Sequence, residues 1–528
     1  MVTDACRNVR RKVVPSLVMM AIVYATTDST DYSTAAHAEE TARSARISFR
    51  IRDEQGAALA CRVHLRDAKG KSPQTKKYPF WYDHFVCNGT ATIEIPPGEY
   101  RYLLERGPEY RRVGGHLTLA AGEQRQIVRT LTRAIQLREF GWYSADLHIH
   151  RPPEQIKLLM RSSDLDIGQV ITWWNKTNRL GADRVVDPVW VPFDKHRYYS
   201  ITAGEDERNG GALMYYGMPQ SIDITTAESE SPSPLDFVRI AKQQTPDVWI
   251  DIEKPFWWDV PIWLASEQVH SIGLANNHMC WGRMFEDEAW GKPRDDQRLP
   301  APLGNGHWTQ EIYYHILNSG IRIPPSAGSA SGVLPSPVGY NRVYVFVAQP
   351  FEPDAWWNGL GAGRCFVTNG PLLNCRANGQ LPGSELSSDE ATMNVELDID
   401  LTTQDYVPAV EVVCNGKIIH TVPLERAERQ TIQTHFECPS TGWFLVRAIT
   451  DHPDTFRFAS TGPFYVQHPD QPRYISRASA KFFADWVAER TARVTAALDD
   501  GELRDQVLVH HGRAREFWQN KLTAATAD

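Results

Sequence analysis

The sequence predicts an α/β protein in which a barrel-like central domain lies between two all-β modules. In the first and third regions apolar and polar residues alternate, which is typical of strands with one buried face. In the middle region short apolar runs alternate with longer segments, some of helical pattern, which favours an α/β barrel or a parallel sheet. We therefore expect a β-sandwich over 45–135, the barrel over 141–375, a second β-sandwich over 385–468 and a helical tail over 473–528.

Each region carries its own local signals. Ile47, Phe49 and Ile51 alternate with polar residues at the start of the first module. In the third module, Asn415 and Gly416 form a strong hairpin-turn sequence. The strand candidates of the middle region are 143–149, 168–173, 200–204, 248–252, 271–275, 321–324 and 342–347.

Length and charge limit the function. At 528 residues the chain is too long for one core, so several domains are expected. Its 56 basic and 64 acidic residues give a net charge of −8 without long runs of either sign. Because nucleic-acid binding needs a basic face that neutralises phosphates, that partner is disfavoured. The partner that we expect is a small-molecule or carbohydrate substrate.

The N-terminus has the composition of a secretory signal peptide. A basic cluster at 7–12 precedes an apolar run at 13–25, and Ala36 and Ala38 supply a small-residue cleavage signal. We expect residues 1–38 to be removed and the mature protein to be periplasmic or extracellular, without an integral membrane segment. A retained anchor or a misassigned start codon is the alternative.

Export would allow disulfides among the remaining cysteines. Their connectivity stays open, since spacing alone does not fix it. Cys280, close to His278, belongs to none of the candidate pairs and is either a buried free thiol or a metal ligand. The pairs that could bridge are Cys61 with Cys87, Cys365 with Cys375, and Cys414 with Cys438.

The run from Ala145 to His150 is the centre of the functional prediction. On a strand, a period of two residues puts Asp146, His148 and His150 on one face. The run continues into Arg151–Pro153, so both imidazoles fall at the carboxyl end of the strand, where barrel enzymes build their sites. Two converging imidazoles suit a divalent transition metal such as zinc.

Polar side chains also follow several other predicted strands. For any one of them a surface position or an ordinary salt bridge is the simpler interpretation, but their recurrence at successive strand ends favours a shared site. These residues are Glu205, Asp251, Glu253, Lys254, Asn276, Asn277, His278, Ser326, Ser329 and Ser331.

Together these motifs resemble those of the polymerase-and-histidinol-phosphatase (PHP) superfamily, and within it the CehA/McbA branch of metallohydrolases. The resemblance covers roughly 141–372 and ends in Ala362–Pro371, which looks like the closing motif of that branch. It implies a distorted seven-stranded (β/α) PHP-type barrel that holds up to three metals and hydrolyses phosphoesters or other esters. The flanking β-sandwiches resemble the accessory modules of this branch.

The resemblance extends to some positions only. The opening D-L-H-x-H motif is intact and implies His148 and His150 as metal ligands, while a loose G-x-E match implies Glu205 as the bridging carboxylate. Segments 172–175, 254–255 and 328–332 occupy the positions where the family has T-D-H-N, H-P and G-S-D-x-H. These segments lack most of the metal ligands that the family has there. We therefore expect one divalent transition metal (zinc first, manganese or iron as alternatives) with His278 or Glu253 completing its shell. A site that no longer binds metal is the other alternative.

The predicted function is a secreted metal-dependent hydrolase that attacks an ester, phosphoester or glycan-derived substrate with a metal-activated water. Lys254, Glu253 and Arg283 are the candidate catalytic side chains. Lys254 would stabilise an oxyanion or act as an acid, and Arg283 would hold an anionic group of the substrate. For both residues the alternative is an ordinary ion pair at the protein surface.

We expect several indoles and neighbouring polar residues to rim the site, where the indoles would stack on sugars or aromatic rings. The alternative is that these indoles pack beneath loops. These candidate substrate-binding residues are Trp173, Trp174, Asn175, Trp257, Trp258, Asn277 and Ser329. Two other functions stay open. One is a non-catalytic carbohydrate-binding relative with a degenerate metal site, and the other is a metal-free lyase that uses Lys254 or His278 as base.

Overall fold

β-Strands dominate the computed structural model, which describes residues 44–348 and 350–528. Strands hold 37% of the residues and helices hold 20%. The expected signal peptide at 1–38 lies outside the described residues. Within the two described ranges, no helix combines the length and the apolar character needed to cross a bilayer.

Eight strands form the N-terminal module. They are β1 (Ala45–Arg52), β2 (Cys61–Asp67), β3 (Phe80–Trp81), β4 (His84–Cys87), β5 (Thr90–Ile95), β6 (Gly98–Glu105), β7 (Val113–Leu119) and β8 (Gln124–Thr130). They pair into two sheets, with orders β5–β1–β8 and β3–β4–β2–β6–β7. The alternation along β1 buries Ile47, Phe49 and Ile51, and the ring of Phe49 meets Phe85 and Tyr102 edge-on in the core.

The central region contains eleven strands and five α-helices. The strands are β9 (Trp142–Ile149), β10 (Ile167–Trp174), β11 (Thr177–Asn178), β12 (Val191–Phe193), β13 (Arg197–Arg208), β14 (Gly211–Tyr216), β15 (Trp249–Ile252), β16 (Ser271–Ala275), β17 (Pro325–Ala327), β18 (Arg342–Phe346) and β19 (Cys365–Thr368). The helices are α1 (Ile156–Ser163), α2 (Pro234–Gln244), α3 (Val260–Ala265), α4 (Gly304–Asn318) and α5 (Pro353–Gly361). The main strands pair in the order β18–β9–β10–β13–β14–β15–β16–β17.

The C-terminal strands form a three-stranded sheet that faces a larger one. They are β20 (Leu372–Ala377), β21 (Glu385–Ser387), β22 (Thr392–Thr402), β23 (Ala409–Cys414), β24 (Lys417–Pro423), β25 (Arg429–Pro439), β26 (Gly442–Ile449), β27 (Phe458–Thr461) and β28 (Phe464–Gln467). The order β20–β22–β25 forms the smaller sheet. Asn415 and Gly416, both with positive φ, make the tight turn between β23 and β24.

The prediction of a seven-stranded (β/α) barrel between separate β-sandwiches is wrong. The central sheet is mixed, because β14 and β18 run antiparallel to their neighbours. Only Asn209 and Gly210 separate β13 from β14, and so short a connection cannot carry the crossover helix that a parallel strand needs. The sheet also continues beyond the central region, since β19 pairs with both β18 and β27.

Two C-terminal helices, α6 (Arg477–Ala497) and α7 (Glu502–Thr523), pack on the central region. The guanidinium of Arg490 on α6 lies 2.5 Å from Glu230 and 2.6 Å from Asp259. Trp518 on α7 donates its indole N–H to the carbonyl of Pro261 on α3 at 2.9 Å. These buried polar contacts fix the two helices against the start of α3 and the loop before α2.

A buried ion cluster joins the N-terminal module to the central sheet. Asp164, which ends α1, faces four guanidinium groups. Arg106 lies at 3.4 Å, Arg133 at 2.8 Å, Arg138 at 3.1 Å and Arg197 at 2.7 Å. Burial acts to raise the pKa of Asp164, but the arginines outweigh it and hold the pKa well below its usual range.

All seven described cysteines are buried free thiols, so none of the three expected pairs is bridged in this structure. Cys61 and Cys87 nevertheless occupy facing positions on β2 and β4. The other two pairs do not face each other in any described strand pairing.

Candidate metal centre

The candidate site lies at one edge of the central sheet, where strands that run in the same direction end. β9 supplies His148, and His150 follows its last residue. β13 supplies Glu205 and Glu207 near its carboxyl end, and Glu253 follows β15 directly. Strands that point the same way bring their carboxyl ends to one edge, so these residues meet although they lie far apart in the chain.

Three ligand-type atoms converge between β9 and β13. The Nε2 atoms of His148 and His150 are 2.9 Å apart. Oε2 of Glu205 lies 3.3 Å from Nε2 of His148 and 3.1 Å from Nε2 of His150. Nitrogen and oxygen ligands about 2.1 Å from a shared tetrahedral cation are about 3.4 Å from each other. The observed distances of 2.9–3.3 Å are close to this spacing, so the three atoms could share one metal ion.

The polar atoms of this group also fit a cation. Oε2 of Glu205 is buried and accepts no well-aligned hydrogen bond from the described residues. The two facing imidazole nitrogens would direct their lone pairs at each other unless one carried a proton. Two imidazoles and one carboxylate are a three-ligand set typical of catalytic zinc, so His148, His150 and Glu205 fit a divalent transition cation.

Three carboxyl groups crowd together at this site. Ligand oxygens of Glu205, Glu207 and Glu253 all lie within 4.8 Å of one another. Burial, and then the carboxylates of Glu205 and Glu253, raise the pKa of Glu207 to about 8. Burial acts to lower the pKa of His148, but the same two carboxylates raise it to about 9. A bound cation would neutralise part of this charge.

Glu253 also lies close to His148, on the side of the ring opposite Glu205. Its Oε1 is 3.4 Å from Nδ1 of His148, the ring nitrogen that faces away from the ligand group. Its oxygens also accept from Nζ of Lys254 at 2.7 and 2.5 Å, from Trp257 Nε1 at 2.9 Å and from Asn277 Nδ2 at 2.5 Å. A carboxylate in this position orients the imidazole, as the outer partners of metal-binding histidines do.

Asp146 holds the backbone of the site in place. Its fully buried carboxylate accepts backbone N–H groups of His148 at 3.1 Å, Ser329 at 3.0 Å and Gly339 at 2.7 Å. The hydroxyl of Ser329 accepts from the backbone N–H of Asn341 at 3.0 Å. Asp146 and Ser329 therefore tie loops to β9, and the side chain of Ser329 is fully buried.

The indoles divide into two kinds. The ring of Trp174 lies 4.8 Å from that of His150, and its N–H donates to Glu207 at 3.2 Å. Trp257 reaches the site through Glu253, as described above. Trp173 is buried and donates to a backbone carbonyl, while Trp258 packs against the C-terminal helix α6. Two of the four expected indoles therefore border the site.

The other expected residues occupy different positions. Asn175 accepts the backbone N–H of Glu207 at 2.9 Å and so fixes the end of β13. His278 lies between the rings of Phe256 and Phe285, its Nδ1 is 3.0 Å from a backbone carbonyl, and it belongs to no ligand group within 4.8 Å. Arg283 is exposed on the loop after β16. The structure does not bring His278 or Arg283 into the centre.

Two residues at the site were missed by sequence reasoning. Glu207 follows Glu205 by two positions, so the period of a strand places both on one face, and this signal was available. Trp290 is 48% exposed, stacks on Trp257 at 4.9 Å and donates to the carbonyl of Arg208 at 3.0 Å. No local pattern marks Trp290, because its position depends on a loop between β16 and α4.

Gly204 packs its backbone directly against the indole of Trp173, so a β-carbon there would overlap the ring. We expect Gly204→Ala to lower the free energy of unfolding by about 2–3 kcal/mol and to weaken metal binding by moving Glu205. Urea denaturation and a zinc titration measure the two effects. Gly282→Ala, where nothing lies within 4 Å of the added carbon, is the matched control. Equal stability of the two variants would contradict this packing role.

A second group of ligand-type side chains, His64, Asp83 and His84, is buried in the N-terminal module. The two ring nitrogens of His64 lie 3.3 Å from Asp83 and 3.2 Å from Glu105. A guanidinium nitrogen of Arg66 lies 2.7 Å from Asp83. Because protein cations already compensate these carboxylates, the group is a charge network that holds β2 to its neighbours.

Comparisons with known proteins give no assignment. No family model matches the chain, and no curated protein matches it. Three solved structures show 12% identity: the TIE protein of Bacillus anthracis, the minor pilin GBS52 of Streptococcus agalactiae and the 3-chlorocatechol 1,2-dioxygenase of Rhodococcus opacus 1CP. The matches cover 20%, 18% and 17% of this chain and 19%, 46% and 60% of those chains, with TM-scores of 0.15, 0.15 and 0.14. This chain thus spans less than two thirds of each, and such low scores support no conclusion about fold or function.

Proposed function

We propose that this protein is a hydrolase that holds one divalent transition cation, zinc first, on His148, His150 and Glu205. The convergence of their three ligand atoms at 2.9–3.3 Å is the observation that carries the proposal. The same three residues are those that the resemblance to the CehA/McbA branch implies, His148 and His150 through the intact D-L-H-x-H motif and Glu205 through the loose G-x-E match. The substrate class is an ester, phosphoester or glycan-derived compound, and the protein acts after export.

The residues of the chain have distinct parts in this proposal. A cation held there would supply a Lewis acid and would lower the pKa of a water molecule for hydrolysis of an ester bond. His148 and His150 bind through Nε2, and Glu205 contributes a single negative charge, so the centre keeps a net positive charge for an anionic or polarised oxygen. Oε1 of Glu253 lies 3.4 Å from Nδ1 of His148, and its negative charge favours the tautomer that carries the proton on Nδ1 and presents Nε2.

The two alternative functions have less support. Carbohydrate binding needs an aromatic cleft, but Trp173 and Trp258 are committed to packing. A metal-free lyase needs a free base, but Nζ of Lys254 is paired with both oxygens of Glu253, and His278 is enclosed by aromatic rings. The convergence of His148, His150 and Glu205 therefore supports a metal-dependent hydrolase better than either alternative function.

Glu205→Gln tests the proposal. The amide keeps the shape of the side chain but removes the charge that binds the cation, so we expect activity to fall by about a thousandfold. The protein is loaded with Zn²⁺ or Mn²⁺, dialysed, and assayed against p-nitrophenyl acetate, p-nitrophenyl phosphate and further esters. Activity on one of these classes that disappears with chelator and returns with metal supports the proposal. Activity that is indifferent to chelator, or equal in Glu205→Gln, refutes it.

A further inference from the structure

Glu205 belongs to two groups of ligand-type atoms at the candidate centre. One is the set with His148 and His150. The other joins Glu205 to Glu207 and Glu253, whose oxygens lie within 4.8 Å of one another. A buried cluster of three carboxylates attracts cations, so the second group raises the question of what compensates it.

Lys254 supplies a cation to this second group. Its Nζ lies 2.7 and 2.5 Å from the two oxygens of Glu253, a bidentate contact. The ammonium also lies 4.4 Å from the centre of the Trp257 ring. Lys254 is 3% exposed and Glu253 is 4% exposed. A lysine fixed in this way acts as a permanent charge at the site rather than as a mobile surface group.

The surroundings keep the pair in place. Trp257 and Asn277 both donate to Glu253, and Nδ1 of His148 lies on its other side. Every position around the carboxylate is therefore filled by a donor. Removing the ammonium would take away the cation that contacts both oxygens of Glu253, and breaking this buried ion pair is destabilising unless another cation takes its place.

We propose that Lys254 is a built-in cation that takes the place of a second metal ion and so limits the centre to one. The inference rests on the proposed function, because it assumes the first ion on His148, His150 and Glu205. Lys254 then determines how many metal ions bind and is not a free acid or base. The metal ions that the Lys254 side chain excludes are divalent transition cations that prefer oxygen ligands, such as Mn²⁺.

The test is the metal content of three proteins after loading with Mn²⁺ and dialysis. Lys254→Met keeps the volume of the side chain and removes its charge. We expect about one equivalent in the wild type, about two in Lys254→Met, and about one again in Lys254→Met combined with Glu253→Gln. Electron paramagnetic resonance gives an independent readout, since two neighbouring Mn²⁺ ions in Lys254→Met would show a coupled signal.

The possible failures are distinguishable. One equivalent in a folded Lys254→Met protein, without a coupled signal, overturns the role of Lys254. No tightly held metal in the wild type refutes the proposed function itself. If Lys254→Met does not fold, Lys254→Gln is measured in its place and has to bind the second ion. Lys254→Arg, which keeps the charge, has to stay at the wild-type content.

Discussion

Replacing His148 with alanine is expected to leave the purified protein without tightly held transition metal. The change removes one of three ligands and leaves Glu205 facing a single imidazole. Loss of only an outer partner of a metal ligand lowers affinity by about 10–100-fold, so loss of the ligand itself should cost at least about 100-fold. Elemental analysis of dialysed protein measures the metal content, and competition with a chelator gives the change in Kd.

Two further histidine variants make this result specific. His435, exposed on β25, contributes to no described ligand group, so His435→Ala should keep the full metal content. His278→Ala should keep it as well, because the structure places that ring outside the three-ligand set. Wild-type metal content in His148→Ala would contradict the site. Loss of metal in His278→Ala would show that the ring moves to complete the shell.

Asp164→Asn is expected to lower the free energy of unfolding by about 3–5 kcal/mol. The carboxylate is 2% exposed and is shared by four arginines. Its loss removes the acidic partner of Arg106 and one of two acidic partners from each of the other three, which keep Glu109, Asp166 and Asp194. Asparagine is the cleanest replacement, because Asp164 has a φ of 49° and asparagine tolerates that left-handed conformation. Equilibrium unfolding in urea at neutral pH measures the change.

Asp194→Asn is the matched control for that measurement. Asp194 also has a positive φ, of 55°, and also pairs with arginines, namely Arg161 and Arg197. Its side chain is 28% exposed, however, so water screens the charge and the expected loss is about 1 kcal/mol or less. Similar losses of unfolding free energy for the two variants would contradict the conclusion that burial strengthens the ion pairs of Asp164.

The ligand set could be predicted in part. The D-L-H-x-H run predicted that two imidazoles share a strand face and lie at its carboxyl end, and in the structure they converge. The partners of those imidazoles were less accessible. Glu253, which the sequence offered with His278 as a candidate to complete the metal shell, contacts Nδ1 of His148 and has a ligand oxygen within 4.8 Å of Glu205. This position depends on how far β15 lies from β9 across the sheet. Lys254 follows Glu253 in the chain, yet their bidentate pairing is visible only in three dimensions.

By itself, the sequence determined where many strands lie, including β9, β10, β16 and β18, and which residues end them. Period and apolar character report which face of an element is buried, and this information is local. Only the tertiary structure decided that β14 returns antiparallel, that the central sheet joins the C-terminal strands, and that Trp290 borders the centre. These features depend on strand order and on loop paths, which set contacts between distant residues and leave no period in the chain.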